Sequence, residues 1–473
     1  METHARAYPK ARVGLFAIGL AAYWPQFPGL RERLEGYYQH VAAQLGAIAE
    51  VVGLGLIDTP QAAYAAGSRL ATEQVDLLIC HTATYATSSQ VLPIVQQTNV
   101  PVLILNLQPA AALDYPNTDT GEWLANCSTC CAPELANAFH RAGVEYQVIS
   151  GQLYDDSRVW RELREWCNAA TAKRVLRGAR FGFLGHTYPG MLDMYSDFTQ
   201  HHAQLGLHVE VLEIDDLGEH VAAVTEQEIK SKGEEAHEIF NVHSSVGKDD
   251  LAWACKVAAG LDRMVNAYEL DALAYYYRGA PQSEAERLGA GLILGNTLLT
   301  ARGIPASGEG DLKTAVAMKV MDALGAGGSY TEFYAMDFAE SFVLMGHDGP
   351  GHIAISDRKP LLRGLGLYHG KSGYGISVEF NVKLGPVTIF GCTQTHGGKL
   401  KFLAAEGESI AGPILQIGNT NSRIRFKLRP AEFVDAWCAE APTHHCALGI
   451  GHLAPTLRKF ARLQGLGFAH VAA

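Results

Sequence analysis

The chain opens with five short apolar runs, "ARVGLFAIG", "AEVVGLGL", "VDLLICHT", "VPVLILNL" and "EYQVISG", with helical stretches between them. Runs of this kind are apolar on both faces. Only a parallel strand with helices packed on both sides of the sheet buries both faces. The alternation therefore restricts this part of the chain to a doubly wound α/β domain. A long helical segment, 156–176, ends it, and the glycine and new strand of "GARFGFLGH" place a boundary near residue 177. The apolar "VGLFAIGLAAYW" follows several basic residues, as a secretory leader would. The rhythm that continues from it makes it the first buried strand instead.

The pattern then restarts. "RFGFLG", a helix over 192–205, "HVEVLEID", two helical runs, "DALAYYYRG" and one more helix describe a second doubly wound unit. Ligands of such sheets bind outside the carboxyl ends of the strands. "FLGHTYPGM", "YYYRGAP" and "ASGEGD" are strand-end loops in this reading, so they are expected to share one crevice. Beyond about residue 330, "GHIAISD", "GISVEFNVKLGPVTIFGCTQTHGGKLKFLAAEGE" and "NSRIRFKL" alternate in polarity between glycine-containing turns. This predicts an antiparallel, barrel-like domain, with "APTLRKFARLQG" as a terminal helix. The expected architecture is two doubly wound parallel-sheet domains, 1–176 and 177–328, followed by a β-rich domain over 329–473.

A chain of 473 residues is too long for one ordinary core, which agrees with several domains. The net charge of -11, with no cluster of Lys and Arg, excludes a nucleic-acid surface and favours a small-molecule partner. No apolar run is long enough to cross a bilayer, so no membrane partner is expected. The nine cysteines are odd in number and too sparse for a disulfide scaffold. "NCSTCC" contains Cys127, Cys130 and Cys131, but as a zinc half-site it lacks a second pair, with only His140 and Cys167 downstream. As a redox motif it lacks an aromatic-flanked strand-to-helix setting. Free thiols in a reducing cytoplasm are the expectation.

The segment "GEGDLKTAVAMKVMDALG" carries the chemistry. Asp311 is placed to cap the helix that follows, so Glu309 is not needed as a cap. Flanking glycines at 308 and 310 permit a sharp turn that presents Glu309 at a strand end. Lys313 is expected to brace the loop by pairing with a carboxylate. Glu332 in "SYTEFYAMDF", His347 in "VLMGHDGPGH" and the pair His444–His445 in "APTHHCALG" complete a possible set. Two carboxylates and two imidazoles suit a divalent cation of intermediate hardness, such as Mn²⁺ or Co²⁺. The competing reading is coincidence, because most of the 19 histidines belong to the surface or to hydrogen-bonded core. "VVGLGL" lacks the third glycine of a dinucleotide site, and no GxSxG elbow occurs.

These motifs, in this order, resemble the L-arabinose isomerase and L-fucose isomerase superfamily over essentially the whole chain. The resemblance implies metal ligation by Glu309, Glu332, His347 and His445, with Glu309 and Glu332 as the catalytic pair. It implies Mn²⁺ (or Co²⁺ or Mg²⁺) as cofactor, a sugar substrate, and a cytoplasmic homo-oligomer, either tetramer or hexamer. It also implies sugar contacts from His444, from Met191 and Tyr195 after "FLGHTYPG", and from Tyr23, Trp24 and Gln26. Those last three stand in "GLAAYWPQFPGL", which replaces the family's TGSQ-like loop. After His347 the "DGPGH" loop is closer to fucose-isomerase-like members, and Asp337 is a second candidate for the second carboxylate.

The reaction implied is aldose–ketose interconversion through an enediol, on an L-arabinose-like pentose or a related hexose or 6-deoxyhexose. It needs a base for the carbon-bound proton and an acid to return it. Neutral histidine ligands imply activity that falls as pH drops through about 6.5. The alternatives are an epimerase, a glycoside-processing enzyme using the two carboxylates without metal, or a non-catalytic sugar-binding protein.

Overall fold

The computed structural model describes residues 7–98, 100–365 and 374–472. The chain divides into two compact units. One is Pro9–Arg174; the other is Val175–Ala473 together with the start of the chain as far as Tyr8.

The first unit contains the five predicted strands. They are β1 (Arg12–Ile18), β2 (Glu50–Ile57), β3 (Leu77–His81), β4 (Val102–Gln108) and β5 (Tyr146–Gln152), in the order β2-β1-β3-β4-β5. Every pairing is parallel. β3 is buried along its whole length and β1 nearly so, as their unbroken apolar character requires. The strand order reverses between β1 and β3, where doubly wound sheets open their crevice.

In the second unit β6 (Arg180–Gly185), β7 (His208–Leu212), β9 (Ala272–Tyr276) and β10 (Ala306–Ser307) form a parallel sheet in the order β10-β9-β6-β7. The two-residue β8 (Asn241–Val242) pairs with β13 (Leu361–Gly364), which pairs in turn with β14 (Ile376–Glu379). Helices Lys248–Ala267 and Glu284–Ala301 cover the parallel sheet through Val257, Leu261, Leu292 and Leu299. Their close approach depends on Gly295, where a Cβ would stand 2.6 Å from Leu261 Cδ1 and 2.8 Å from the Ala258 backbone.

The rest of this unit includes a closed antiparallel barrel. Its six strands are β11 (Gly327–Asp337), β12 (Phe342–His347), β15 (Gly385–Gln394), β16 (Leu400–Ile410), β17 (Thr420–Phe426) and β18 (His445–Ile450). They run β15-β18-β11-β12-β17-β16, and the β15–β16 pairing closes the ring. Closure leaves these strands without a free edge.

Three expectations need correction. The helix over 192–205 is a single 3₁₀ turn, Leu192–Met194, followed by a separate helix Phe198–Leu205. Tyr195 leaves helical geometry at ψ 136, and Asp197 caps the second piece by accepting from Thr199 N and Gln200 N. "GHIAISD" forms no strand but a 3₁₀ turn, Ile353–Ile355. The helix Ala454–Leu463 does not end the barrel region either: β19 (Gly467–His470) follows it and joins β16 in parallel.

Candidate active site

Strand β10 is only two residues long because its carboxyl end turns at once into helix Leu312–Ala323. Every residue of that helix from Leu312 to Met321 is buried, so it is enclosed on all sides and needs no polar face. At its start Asp311 caps as expected, accepting from Thr314 N at 3.0 Å and Thr314 Oγ1 at 2.7 Å. The turn differs from the expectation in detail. Glu309 itself has the left-handed conformation, φ 59, with Gly310 at φ 71. A left-handed non-glycine residue costs of order 1 kcal/mol and persists only where its surroundings hold it. Here the Glu309 carbonyl accepts from Tyr188 N at 2.9 Å, and Gly310 N donates to Tyr275 O at 3.0 Å. The loops after β6 and β10 and the carboxyl end of β9 are thereby joined.

The barrel supplies the facing residues. In the β11–β18 ladder Glu332 stands directly opposite His445, and in the β11–β12 ladder it stands opposite Gly346, the neighbour of His347. A bulge between Phe333 and Ala335 interrupts the ladder just beyond Glu332. Bulges of this kind re-aim side chains beside functional sites.

The five candidates converge. Ligand atoms of Glu309, His347 and His445 lie within 4.8 Å of one another, and those of Glu332, His444 and His445 do the same. Glu309 Oε2 is 3.5 Å from His445 Nε2 and 3.9 Å from His444 Nε2. Both Glu309 Oε2 and His445 Nε2 are buried without a hydrogen-bond partner. Such orphans are costly in a folded chain, and they fit a site that receives a cation or a polar ligand. Two carboxylates and two imidazoles form a donor set for a divalent metal of intermediate hardness.

On its other edge His445 is fully determined. Its Nδ1 lies 2.7 Å from the Tyr330 hydroxyl and 3.0 Å from Asp311 Oδ2. Tyr330 donates its own proton to Gly308 O at 3.1 Å, so it offers His445 an acceptor, as does the Asp311 carboxylate. With two acceptors at Nδ1, the proton belongs there, and the Nε2 lone pair points toward Glu309. Tyr330, Asp311 and His445 are all fully buried. His347 packs its ring 4.4 Å from that of Tyr330 and 5.0 Å from that of His445, and its Nδ1 accepts from Gly349 N at 3.1 Å.

His444 is held differently. Asp193 Oδ2 accepts from both its backbone N, at 3.0 Å, and its Nδ1, at 2.7 Å. Burial lowers the His444 imidazole, but Asp193 and Glu309 outweigh it and raise it to about 10. Asp193 is correspondingly held at about 2, its burial outweighed by His444. The two catalytic candidates are displaced in opposite directions. Burial pushes the Glu309 carboxyl up, yet the neighbouring histidines bring it below its ordinary value. Burial raises Glu332, and His445 and His444 offset it only in part.

Asp337 lies apart from this group, at the β11–β12 turn, where it accepts from Ala339 N and Glu340 N. Tyr195 is exposed, and its carbonyl, with that of Met194, accepts from buried Lys313 Nζ at 3.0 Å. Lys313 thus braces the loop through backbone carbonyls and the Ser196 hydroxyl, correcting the carboxylate expectation. Met191 opens the same loop, its carbonyl accepting from Met194 N. Tyr23, Trp24 and Gln26 belong to the first unit. There Trp24 Nε1 donates to Asp58 at 2.8 Å, Gln26 bonds Ala22 O, and Tyr23 packs against Phe27.

A family model described as the L-arabinose isomerase central domain matches residues 195–327. The chain is 22% identical over 391 residues to L-arabinose isomerase 1 of Bacillus licheniformis, covering 81% of this chain and 78% of that protein. It is 24% identical over 377 residues to an L-arabinose isomerase of a Nocardioides species, covering 75% and 72%. The chain is similar to L-arabinose isomerases along most of its length. Sequence reasoning did not single out Asp193 and Tyr330. Asp193 reads as an exposed loop acid, and its partner His444 is 251 positions away. Tyr330 reads as core, which it is; only the direction of its hydroxyl separates it from a packing residue.

Proposed function

We propose that this chain is an aldose–ketose isomerase acting on a free L-arabinose-like pentose or a related hexose or 6-deoxyhexose through an enediol. The observation that carries the reading is the facing pair Glu309 Oε2 and His445 Nε2, both buried and both unpartnered. The naming of the relatives as L-arabinose isomerases supports it.

Glu309, Glu332, His347 and His445 would hold Mn²⁺, or Co²⁺ or Mg²⁺, whose chemistry is Lewis-acid polarisation of the sugar oxygens. The chain's own groups divide the proton work. Glu309, kept ionised chiefly by the charged His444 beside it, suits removal of the carbon-bound proton. Glu332, raised by burial, suits holding a proton for return to the neighbouring carbon. His444, pinned by Asp193, presents a charged donor to a sugar hydroxyl.

The test is a panel of pentoses, hexoses and 6-deoxyhexoses incubated with Mn²⁺-loaded protein, with detection of ketose. Turnover of at least one sugar, abolished by EDTA and restored by Mn²⁺, is the expected result. Absence of ketose from the whole panel would overturn the isomerase reading, and undiminished turnover after chelation would overturn the metal.

A further inference from the structure

The cysteine cluster of the first unit is not used by the proposed reaction. Cys127 and Cys130 place their sulfurs 2.7 Å apart, in contact, as free thiols. Cys130 is exposed and Cys127 is buried. The three-residue spacing brings both to one side of the turn that leads into helix Cys131–Arg141. Cys131 is turned away: its sulfur is buried and donates to Ser128 O at 3.3 Å and Thr84 O at 3.6 Å. The loop is anchored on both sides of the pair. Asn126 donates to Glu122 O and accepts from Ala110 N, and Thr129 donates to Asn106 Oδ1. Among the described residues no carboxylate or imidazole completes a metal cluster with these sulfurs.

We propose that Cys127 and Cys130 form a dithiol site that closes reversibly to an intrachain disulfide by exchange with a small-molecule disulfide. The exposed Cys130 is the entry point. Its thiolate attacks one sulfur of the small disulfide, forming a mixed disulfide and releasing one small thiol. Cys127 then attacks Cys130 Sγ and expels the second small thiol. Two protein thiols are oxidised, one small disulfide is reduced to two thiols, and the two protons leave on those thiols. Burial holds the Cys127 thiol up at about 12, which keeps it out of the first attack and leaves it as the resolving group. The sulfurs already touch and the flanking loop is anchored, so closure joins two atoms that are neighbours in the reduced protein. Burial, followed by the nearby Cys127 and Cys130, also raises the Tyr23 hydroxyl, so closure changes the surroundings of the loop after β1.

The test incubates the full-length protein with glutathione disulfide, alkylates the remaining thiols and maps the products by mass spectrometry. The expected product has Cys127 joined to Cys130, with Cys131 still alkylated, and dithiothreitol restores both thiols. Cys127→Ser should stop at a glutathione adduct on Cys130, and Cys130→Ser should leave Cys127 unmodified. Cys131→Ser should close as the parent does. A parent protein that stops at the Cys130 adduct, keeps both thiols reduced, or joins either sulfur to Cys131 would overturn the proposal. The parent mapping decides this even if a variant fails to fold.

Discussion

His445 Nε2 and Glu309 Oε2 face each other across 3.5 Å, both buried and neither hydrogen-bonded. Such a pair is costly in a folded chain, and its place among other ligand-type side chains fits a site that receives a ligand. Glu309→Gln keeps the shape and removes the charge. The expected outcome is a loss of turnover of at least about 10³-fold, with Mn²⁺ affinity reduced as well. The thermal midpoint should stay close to that of the parent, because the main-chain bonds that hold the turn are untouched. Steady-state kinetics with calorimetric metal titration checks this; unchanged kcat would remove Glu309 from the chemistry.

The acceptors behind His445 make a second prediction. Tyr330→Phe removes one, and Asp311→Asn replaces the other with a group able to donate to Nδ1. The second change favours the tautomer with its proton on Nε2, which blocks the edge facing Glu309. Loss of an orienting partner of this kind typically weakens metal binding by about 10–100-fold. The expected order of Mn²⁺ affinity is parent, then Tyr330→Phe, then Asp311→Asn. Imidazole ¹⁵N shifts of the metal-free proteins report the tautomer independently of activity. Parent-like shifts in Asp311→Asn would show that Asp311 does not set it.

How much of this is legible in the sequence depends on whether the deciding interaction is local. β1 to β5 are read correctly because burial on both faces leaves an unbroken apolar run. The Asp311 cap is read from its place at the start of the helical run. The break at Tyr195 escapes notice because the apolar periodicity passes through it, and what ends the first turn is Lys313 holding the carbonyls of Met194 and Tyr195 from a distant helix. β19 is missed because four residues carry too little alternation to register. The convergence of Glu309, Glu332, His347 and His445 depends on barrel register, which spacing along the chain does not encode. The motif resemblance supplies what spacing cannot.

Gly310 offers a test of the turn itself. At φ 71 an added Cβ would stand 2.6 Å from His186 O and 2.8 Å from Thr187 Cα, both backbone atoms with little freedom to retreat. Gly310→Ala is expected to lower the stability of the second unit by about 2 kcal/mol or more, combining left-handed strain with the clash. Because Gly310 follows Glu309 directly, kcat should fall too. Denaturant unfolding followed separately for each unit should show the loss in the second alone. A variant as stable as the parent would mean that the turn tolerates a side chain.

The last prediction concerns acid stability. His81, at the end of β3, is fully buried, and neither ring nitrogen has a hydrogen-bond partner. Burial, assisted slightly by His40, lowers its imidazole to about 4 from an ordinary value near 6.5. The unfolded chain therefore takes up a proton at this site before the folded chain does. The contribution to stability is full above about pH 6.5 and declines as pH falls toward 4, below which the difference no longer grows. At pH 5 the first unit should have lost about 2 kcal/mol through this residue alone. His81→Leu removes the titration and should flatten the dependence by that amount between pH 7.5 and 5. Urea unfolding of parent and variant at the two pH values measures it, and equal slopes would show that His81 is protonated in the folded protein.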